Sequence, residues 1–145
     1  MTDIGRESTV ELMESEFIPY FNSENESSGS RGQYLTSNSH RVSENGDDEF
    51  IGKAYSIHDV PTGEKILLLG FLYNFPYGAN NTSVHQVADT LEESWFQNAM
   101  SKEFDFVVVT AHIDPEDDSA SVDQITGAIF QSHPEAQIIF LAGHR

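Results

Sequence analysis

Continuous apolar runs alternate with amphipathic segments in the second half of the chain. The runs Lys65–Phe71, Phe104–Thr110 and Ile138–Leu141 are typical of strands, and the continuous apolar stretch Ile66–Leu72 predicts a strand buried on both faces. Between them, Val84–Ala99 and Val122–Phe130 carry apolar residues at the 3.6-residue spacing of a helix. The order strand, helix, strand, helix, strand predicts an α/β fold with a parallel sheet.

The first half of the chain is less regular. Val10–Phe21 has apolar residues at helix-like spacing, and Asn22–Gln33 is a polar, Gly/Ser-rich segment typical of a flexible loop. Tyr34–Asn38 is a short strand candidate. Ser39–Glu49 has the composition of a loop, in which the dipeptide Asn45-Gly46 predicts a turn.

Turn and capping signals place the ends of several elements. Pro61–Glu64 predicts a turn that joins Phe50–Val60 to Lys65–Phe71 as a hairpin. A serine followed three residues later by a glutamine is a capping box, and it predicts helix starts at Ser83 and Ser121.

The composition is strongly acidic, with 24 Asp and Glu against 7 Lys and Arg and a formal net charge of −17. This charge excludes a nucleic-acid backbone or an anionic membrane as partner, since both would be repelled. The chain has no cysteine, which excludes disulfides and thiolate metal sites. At 145 residues it forms one domain at most, and no apolar run has the length of a transmembrane helix or a signal peptide.

Two histidines follow the last two predicted strands. His112 comes just after Phe104–Thr110, and His144 follows Ala142-Gly143 at the end of the chain. Parallel sheets carry their ligands outside the carboxyl ends of their strands, and a neutral imidazole there can bind a metal ion. Each histidine alone is as well explained by a hydrogen-bonded loop residue. The pair favours one metal ion held between two strand ends.

Other candidate groups have simpler explanations. The acidic run Asp114–Asp118 lacks the spaced ligands of a calcium loop, which favours a solvated acidic turn. The remaining histidines are expected on the surface without a role: His40, His58, His85 and His133. Nucleotide-loop and serine-hydrolase motifs are absent. Sequons that would accept a glycan in a secreted protein occur at Asn25, Asn80 and Asn81.

Taken together, these blocks resemble the calcineurin-like dinuclear metallophosphoesterases. In that family a lone His ends one strand and a Gly-His-x-His motif ends the next. The segment Phe106–His112 resembles the first of these, and Ala142-Gly143-His144, about thirty residues later, resembles the second. Further back, Tyr34–Asn38, Lys65–Phe75 and Glu92–Phe96 resemble the family's 5′-nucleotidase-like fungal branch. The resemblance covers 34–145 as the carboxy-terminal part of a catalytic domain. It leaves 1–33 as an amino-terminal helix and flexible loop.

The resemblance implies part of a four-layer αββα sandwich and the hydrolysis of small phosphate esters by a metal-activated hydroxide. It implies two divalent ions, zinc, manganese or iron, with His112 and His144 as ligands of one of them. It also implies the secretory pathway or vacuole as location, in agreement with the sequons.

The family's other metal-binding motifs, Asp-x-His and Gly-Asn-His, are absent, and Gly46-Asp47 lies in a predicted loop with no predicted strand before it. We therefore expect a fragment of a phosphoesterase that is inactive alone and binds at most one ion weakly. The alternative is a non-catalytic acidic α/β remnant or interaction module.

Overall fold

The computed structural model describes residues 11–19, 34–74 and 81–143. A π-helix at Met13–Phe17 lies within the segment for which the sequence predicts a helix. The strands are β1 Ser39–Val42, β2 Asp48–Phe50, β3 Tyr55–Asp59, β4 Lys65–Leu72, β5 Thr82–Val84, β6 Phe106–His112 and β7 Gln137–Ala142. The α-helices of the described part are α1 Val87–Leu91, α2 Ser94–Met100 and α3 Ser119–Ser132. Helices and two sheets confirm the predicted α/β class.

The larger sheet has the strand order β3-β4-β6-β7. Strands β3 and β4 form the predicted antiparallel hairpin, while β4, β6 and β7 run parallel. In register, Val109 of β6 lies between Leu69 of β4 and Phe140 of β7. The three apolar runs were therefore correctly predicted as strands of a parallel sheet, in which they are neighbours.

The core lies on the side of this sheet that faces the helices. Alternate residues of β4 and β6 are almost completely buried: Leu67, Leu69, Phe71, Val107, Val109 and Ala111. They share one hydrophobic cluster with Val87 and Leu91 of α1, Phe96 of α2, and Ile125 and Ile129 of α3. The other face of β4 is only half-buried, which corrects the expectation of a strand buried on both faces.

The smaller sheet, with the order β2-β1-β5, was not predicted from the sequence. The segment Ser39–Glu49, predicted as a loop, contains β1 and most of β2, which pair antiparallel through the predicted turn. Gly46 has a φ of 84°, a conformation that glycine adopts without steric cost. Tyr34–Asn38 forms only an isolated bridge, between Leu35 and Lys53. The strands β1, β2 and β5 are three or four residues long and mostly polar, so they have too little apolar periodicity to be predicted from the sequence.

Both capping predictions were wrong. Ser83 lies in β5, and α1 begins four residues later at Val87, whose N–H donates to Asn74 Oδ1 at 3.0 Å. The predicted single helix is divided into α1 and α2. Helix α3 begins at Ser119, and its N-cap is Asp118, which accepts hydrogen bonds from the N–H and the hydroxyl of Ser121.

Strand β7 is an edge of the larger sheet and exposes two large apolar side chains on one face. Ile139 is 51% exposed and Leu141 is 60% exposed. Exposed apolar edge strands promote association between chains.

We predict that the double variant Ile139→Thr, Leu141→Thr self-associates less than the natural chain. Its free energy of unfolding should change by less than about 0.5 kcal/mol, because these side chains contribute little to the core.

Sedimentation velocity over a range of protein concentrations measures this effect. A matched control is Leu12→Thr, which removes an exposed apolar side chain from the residue just before the π-helix instead. Equal reduction of self-association by the control and by the β7 variant would contradict the prediction.

Candidate functional site

The carboxyl ends of β4, β6 and β7 lie side by side and form one edge of the larger sheet, which we call the carboxyl edge. Leu72 of β4 pairs with His112 of β6, and Ala111 pairs with Ala142 of β7. Gly143 continues this pairing, since its N–H donates to Ala111 O at 3.2 Å. His144 follows directly but lies outside the described residues. The shared metal site of His112 and His144 therefore stays a prediction.

His112 has an exposed side chain at the end of β6. The N–H of Tyr73, the residue after β4, donates to His112 O at 3.2 Å, and the two rings are 5.9 Å apart between centroids.

In the acidic turn that follows His112, two carboxylates accept hydrogen bonds from residues close by in the sequence. Asp114 Oδ1 accepts from Glu116 N–H at 2.9 Å, and Asp118 caps α3. These contacts support the interpretation of Asp114–Asp118 as a turn rather than a cation site.

A different group of side chains has the composition of a metal site. Within the described ranges, a single set of three metal-ligating residues has its ligand atoms within 4.8 Å of one another: His40, Asp48 and His85. His40 Nδ1 lies 3.0 Å from His85 Nε2, and that nitrogen lies 2.9 Å from Asp48 Oδ2. Glu93 Oε1 lies 2.8 Å from the other ring nitrogen of His85. We call these four residues the histidine cluster.

The smaller sheet and the start of α2 position the cluster. His40 lies in β1, directly opposite Phe50 of β2 and Ser83 of β5, so it is in the middle of the three strands. Asp48 begins β2, and His85 follows β5. Glu93 is the N-cap residue of α2, at the break that separates α1 from α2.

Burial differs sharply within the cluster. His40 is only 3% exposed, and its ring packs against the rings of Phe50 and His85 at centroid distances of 4.2 and 4.0 Å. The side chains of His85 and Asp48 are 29% and 40% exposed. One side of the cluster is therefore fixed by packing, and the other is open to water.

Charge and burial shift the pKa values of the cluster in opposite directions. Partial burial opposes the charged form of His85, but its hydrogen bonds to Glu93 and Asp48 outweigh burial and raise its pKa. Burial, together with the nearby charge of His85, lowers the pKa of His40. The hydrogen bond from His85 lowers the pKa of Asp48. The two pKa shifts thus favour the neutral form of His40 and the charged form of His85.

The sequence-based expectation of surface histidines was wrong for His40, which is buried. The cluster was missed because its members lie far apart in sequence and are brought together by the short strands β1, β2 and β5, which the sequence does not reveal. The other two histidines have structural contacts. His58 Nε2 lies 3.1 Å from Ser56 Oγ, and His133 Nε2 donates to Met100 O at 2.8 Å.

The structure resembles the crystal structure of a 5′-nucleotidase from Candida albicans. The two match with a TM-score of 0.71 and 27% sequence identity over 77% of this chain and 21% of the nucleotidase chain. The chain thus has an α/β fold of the phosphoesterase type found in that 5′-nucleotidase. The predicted resemblance is confirmed at this level.

Two fungal sequences are also similar to this chain. An uncharacterized protein of Schizosaccharomyces pombe is 29% identical over 88% of the chain, which corresponds to 20% of that protein. A protein of Arthroderma benhamiae named "Secreted protein" is 32% identical over 55% of the chain and 12% of its own length. The chain thus spans a fifth or less of the length of these relatives. No protein-family model matches the sequence.

The pKa shift of His85 leads to a prediction about stability and pH. A histidine whose pKa is raised on folding stabilises the fold below its unfolded pKa of about 6.5, and this contribution is lost as the pH rises through the folded pKa. With a chelator present to remove metal ions, His85→Gln should therefore destabilise the chain more at about pH 5.5 than at about pH 8.5. The difference should be on the order of 1 kcal/mol or less, because the ion pairs are partly exposed.

Urea unfolding at the two pH values measures this difference. His58→Gln is the matched control, because its hydrogen-bond partner is the uncharged Ser56 hydroxyl. A destabilisation by His85→Gln that is equal at both pH values would show that His85 gains no charge interaction on folding.

Proposed function

We propose that this chain is part of a metal-dependent phosphoesterase that hydrolyses small phosphate esters in the manner of a 5′-nucleotidase. The observation that carries the proposal is the likeness to the Candida 5′-nucleotidase at a TM-score of 0.71. Strand β6 ends in His112 at the carboxyl edge, which is where sheets of this kind bind their ligands.

The carboxyl edge supplies one metal ligand within the described residues, the exposed imidazole of His112, and His144 is the proposed second. Metal ions of this class, zinc, manganese or iron, supply an activated hydroxide and neutralise charge on the phosphoryl oxygens. Two imidazoles suit one such ion but do not fit a pair of ions, which requires carboxylates as well. Among the described residues, no group of three metal ligands includes His112. We therefore expect this chain to bind at most one ion weakly at the carboxyl edge and to be inactive alone.

Charge supports a small substrate. A net charge of −17 opposes binding of extended polyanions, whereas a metal ion can offset repulsion at one phosphate group. The partner is accordingly a phosphate-ester small molecule rather than a nucleic acid or a membrane surface. No helix among the residues given in the structure is long and apolar enough to cross a membrane.

The secretory pathway is the proposed location. It rests on the secreted fungal relative and on the sequons at Asn25, Asn80 and Asn81.

If the chain passes through the secretory pathway, the natural protein isolated from its host should carry an endoglycosidase-sensitive glycan. Unchanged electrophoretic mobility after endoglycosidase treatment would count against this location.

Transplantation of the chain into an active relative tests the catalytic proposal. In a chimera, the matching segment of the Candida 5′-nucleotidase is replaced by this chain through His144. We expect the chimera to release phosphate from a nucleoside monophosphate. His112→Ala should lower kcat/KM at least about a hundredfold, because loss of a ligand misplaces the metal ion.

His133→Ala is the matched control. His133 directly follows α3, away from the carboxyl edge, and its ring donates a hydrogen bond to Met100 O. Equal losses from His112→Ala and His133→Ala would contradict the assignment of His112. A folded but inactive chimera would favour the non-catalytic interaction module. The isolated 145-residue chain should release no more phosphate than its His112→Ala variant, and turnover above that level would disprove that it is inactive alone.

A further inference from the structure

We propose that His40, Asp48 and His85 form a binding site for one zinc-type divalent ion, separate from the carboxyl edge. The distances carry the inference. The ligand atoms His40 Nδ1, His85 Nε2 and Asp48 Oδ2 are separated by 3.0 and 2.9 Å along the two shortest edges. Ligands of a tetrahedral zinc ion, with bonds of about 2.0–2.2 Å, stand roughly 3.3 Å from one another. The third pair, His40 Nδ1 and Asp48 Oδ2, lies within 4.8 Å, so all three atoms can reach one ion after a small adjustment of the side chains.

The residues behind the ligands are arranged as around known metal ions. Glu93 Oε1 lies 2.8 Å from His85 Nδ1 and can accept its hydrogen, which leaves the lone pair of Nε2 directed at the ion. A carboxylate that orients a metal-bound histidine in this way is a regular feature of zinc sites. The Ser83 hydroxyl donates to Asp48 Oδ1 at 3.3 Å and leaves Oδ2 on the side of the histidines.

The scaffold positions the two histidine ligands before any ion binds. His40 is buried, with its ring packed on Phe50, and it is paired through β1 to both neighbouring strands. The backbone N–H of His85 donates to Asn38 O at 2.9 Å. Because these positions are fixed by packing and by backbone hydrogen bonds, ion binding orders few additional groups. The exposed side of Asp48 and His85 leaves room for water as a fourth ligand.

The ligand types select the class of ion. Two imidazole nitrogens and one carboxylate suit zinc, copper or nickel, whereas magnesium and calcium prefer all-oxygen sites. The two carboxylates Asp48 and Glu93, in a chain of net charge −17, favour a dication electrostatically. The same contacts are also those of a hydrogen-bond network around a protonated His85. Measurement of metal binding distinguishes a metal site from such a network.

The test uses the complete 145-residue chain carrying His112→Ala and His144→Ala, so that metal binding at the carboxyl edge is removed. Cobalt(II) is added at about pH 7.5, above the ordinary imidazole pKa. We expect one equivalent to produce the visible absorption of four-coordinate cobalt. Zinc should displace it and raise the Tm. Long-range proton–nitrogen NMR should show the shift of a metal-bound nitrogen at His85 Nε2 and His40 Nδ1.

Variants identify the ligands. In the same background, His85→Gln and Asp48→Asn should each lower the affinity for zinc at least tenfold. Glu93→Gln should lower it between about tenfold and a hundredfold, as expected for a residue that orients a ligand. His58→Gln is the matched control and should leave the affinity unchanged.

Three results would overturn the proposal: no cobalt spectrum in the folded chain, equal losses from His85→Gln and His58→Gln, or metal-bound shifts on other nitrogens. Folding is verified in the same NMR spectra by the ring signals of His58 and His133. If self-association broadens them, the variant with Ile139→Thr and Leu141→Thr carries the same test. Phosphate release plays no part in these measurements, so the site can fail or succeed independently of the proposed hydrolase.

Discussion

The arrangement of the two sheets depends on the hydrogen bonds of one buried side chain, Asn38. Strand β3 pairs with β4 only as far as Leu69, which leaves the last backbone polar groups of β4 without a strand partner on the side away from β6. Asn38 replaces that partner, since its Oδ1 accepts from Leu72 N–H at 2.9 Å and its Nδ2 donates to Leu72 O at 2.7 Å. The same Nδ2 donates to His85 O at 3.0 Å, and His85 N–H donates to Asn38 O.

An amide that is completely buried must satisfy its polar atoms, and here it does so by joining β4 of the larger sheet to the end of β5 in the smaller one. Close approach is possible because residue 70 is glycine, where a Cβ would lie 2.9 Å from Leu35 O. Asn38 therefore connects the carboxyl edge to the histidine cluster. Replacement of Asn38 by an apolar residue of similar volume would leave Leu72 and His85 with buried unpaired groups.

The sequence was informative where burial is strong and local. Three apolar runs identified the three parallel strands of the larger sheet, because the apolar residues of these strands need cover from helices on at least one face. The smaller sheet could not be predicted in the same way. Its strands are short and polar, and their positions depend on partners such as Asn38 and Ser37 rather than on apolar periodicity. The residues of the histidine cluster gave no signal for the same reason, since the antiparallel pairing of β1 and β5 brings His40 and His85 together from 45 positions apart.

That separation has a consequence for the order of folding. Closing a loop of this length costs entropy before the β1–β5 contacts repay it, so the pairing is expected late, after the local hairpin of β3 and β4 has formed. An ion held between β1, β2 and the end of β5 would then stabilise contacts that are absent from the folding transition state. Such contacts alter the rate of unfolding and leave the rate of folding almost unchanged. A metal ion bound to this cluster would thus lower the rate of unfolding, and only the unfolding arm of a chevron plot would shift.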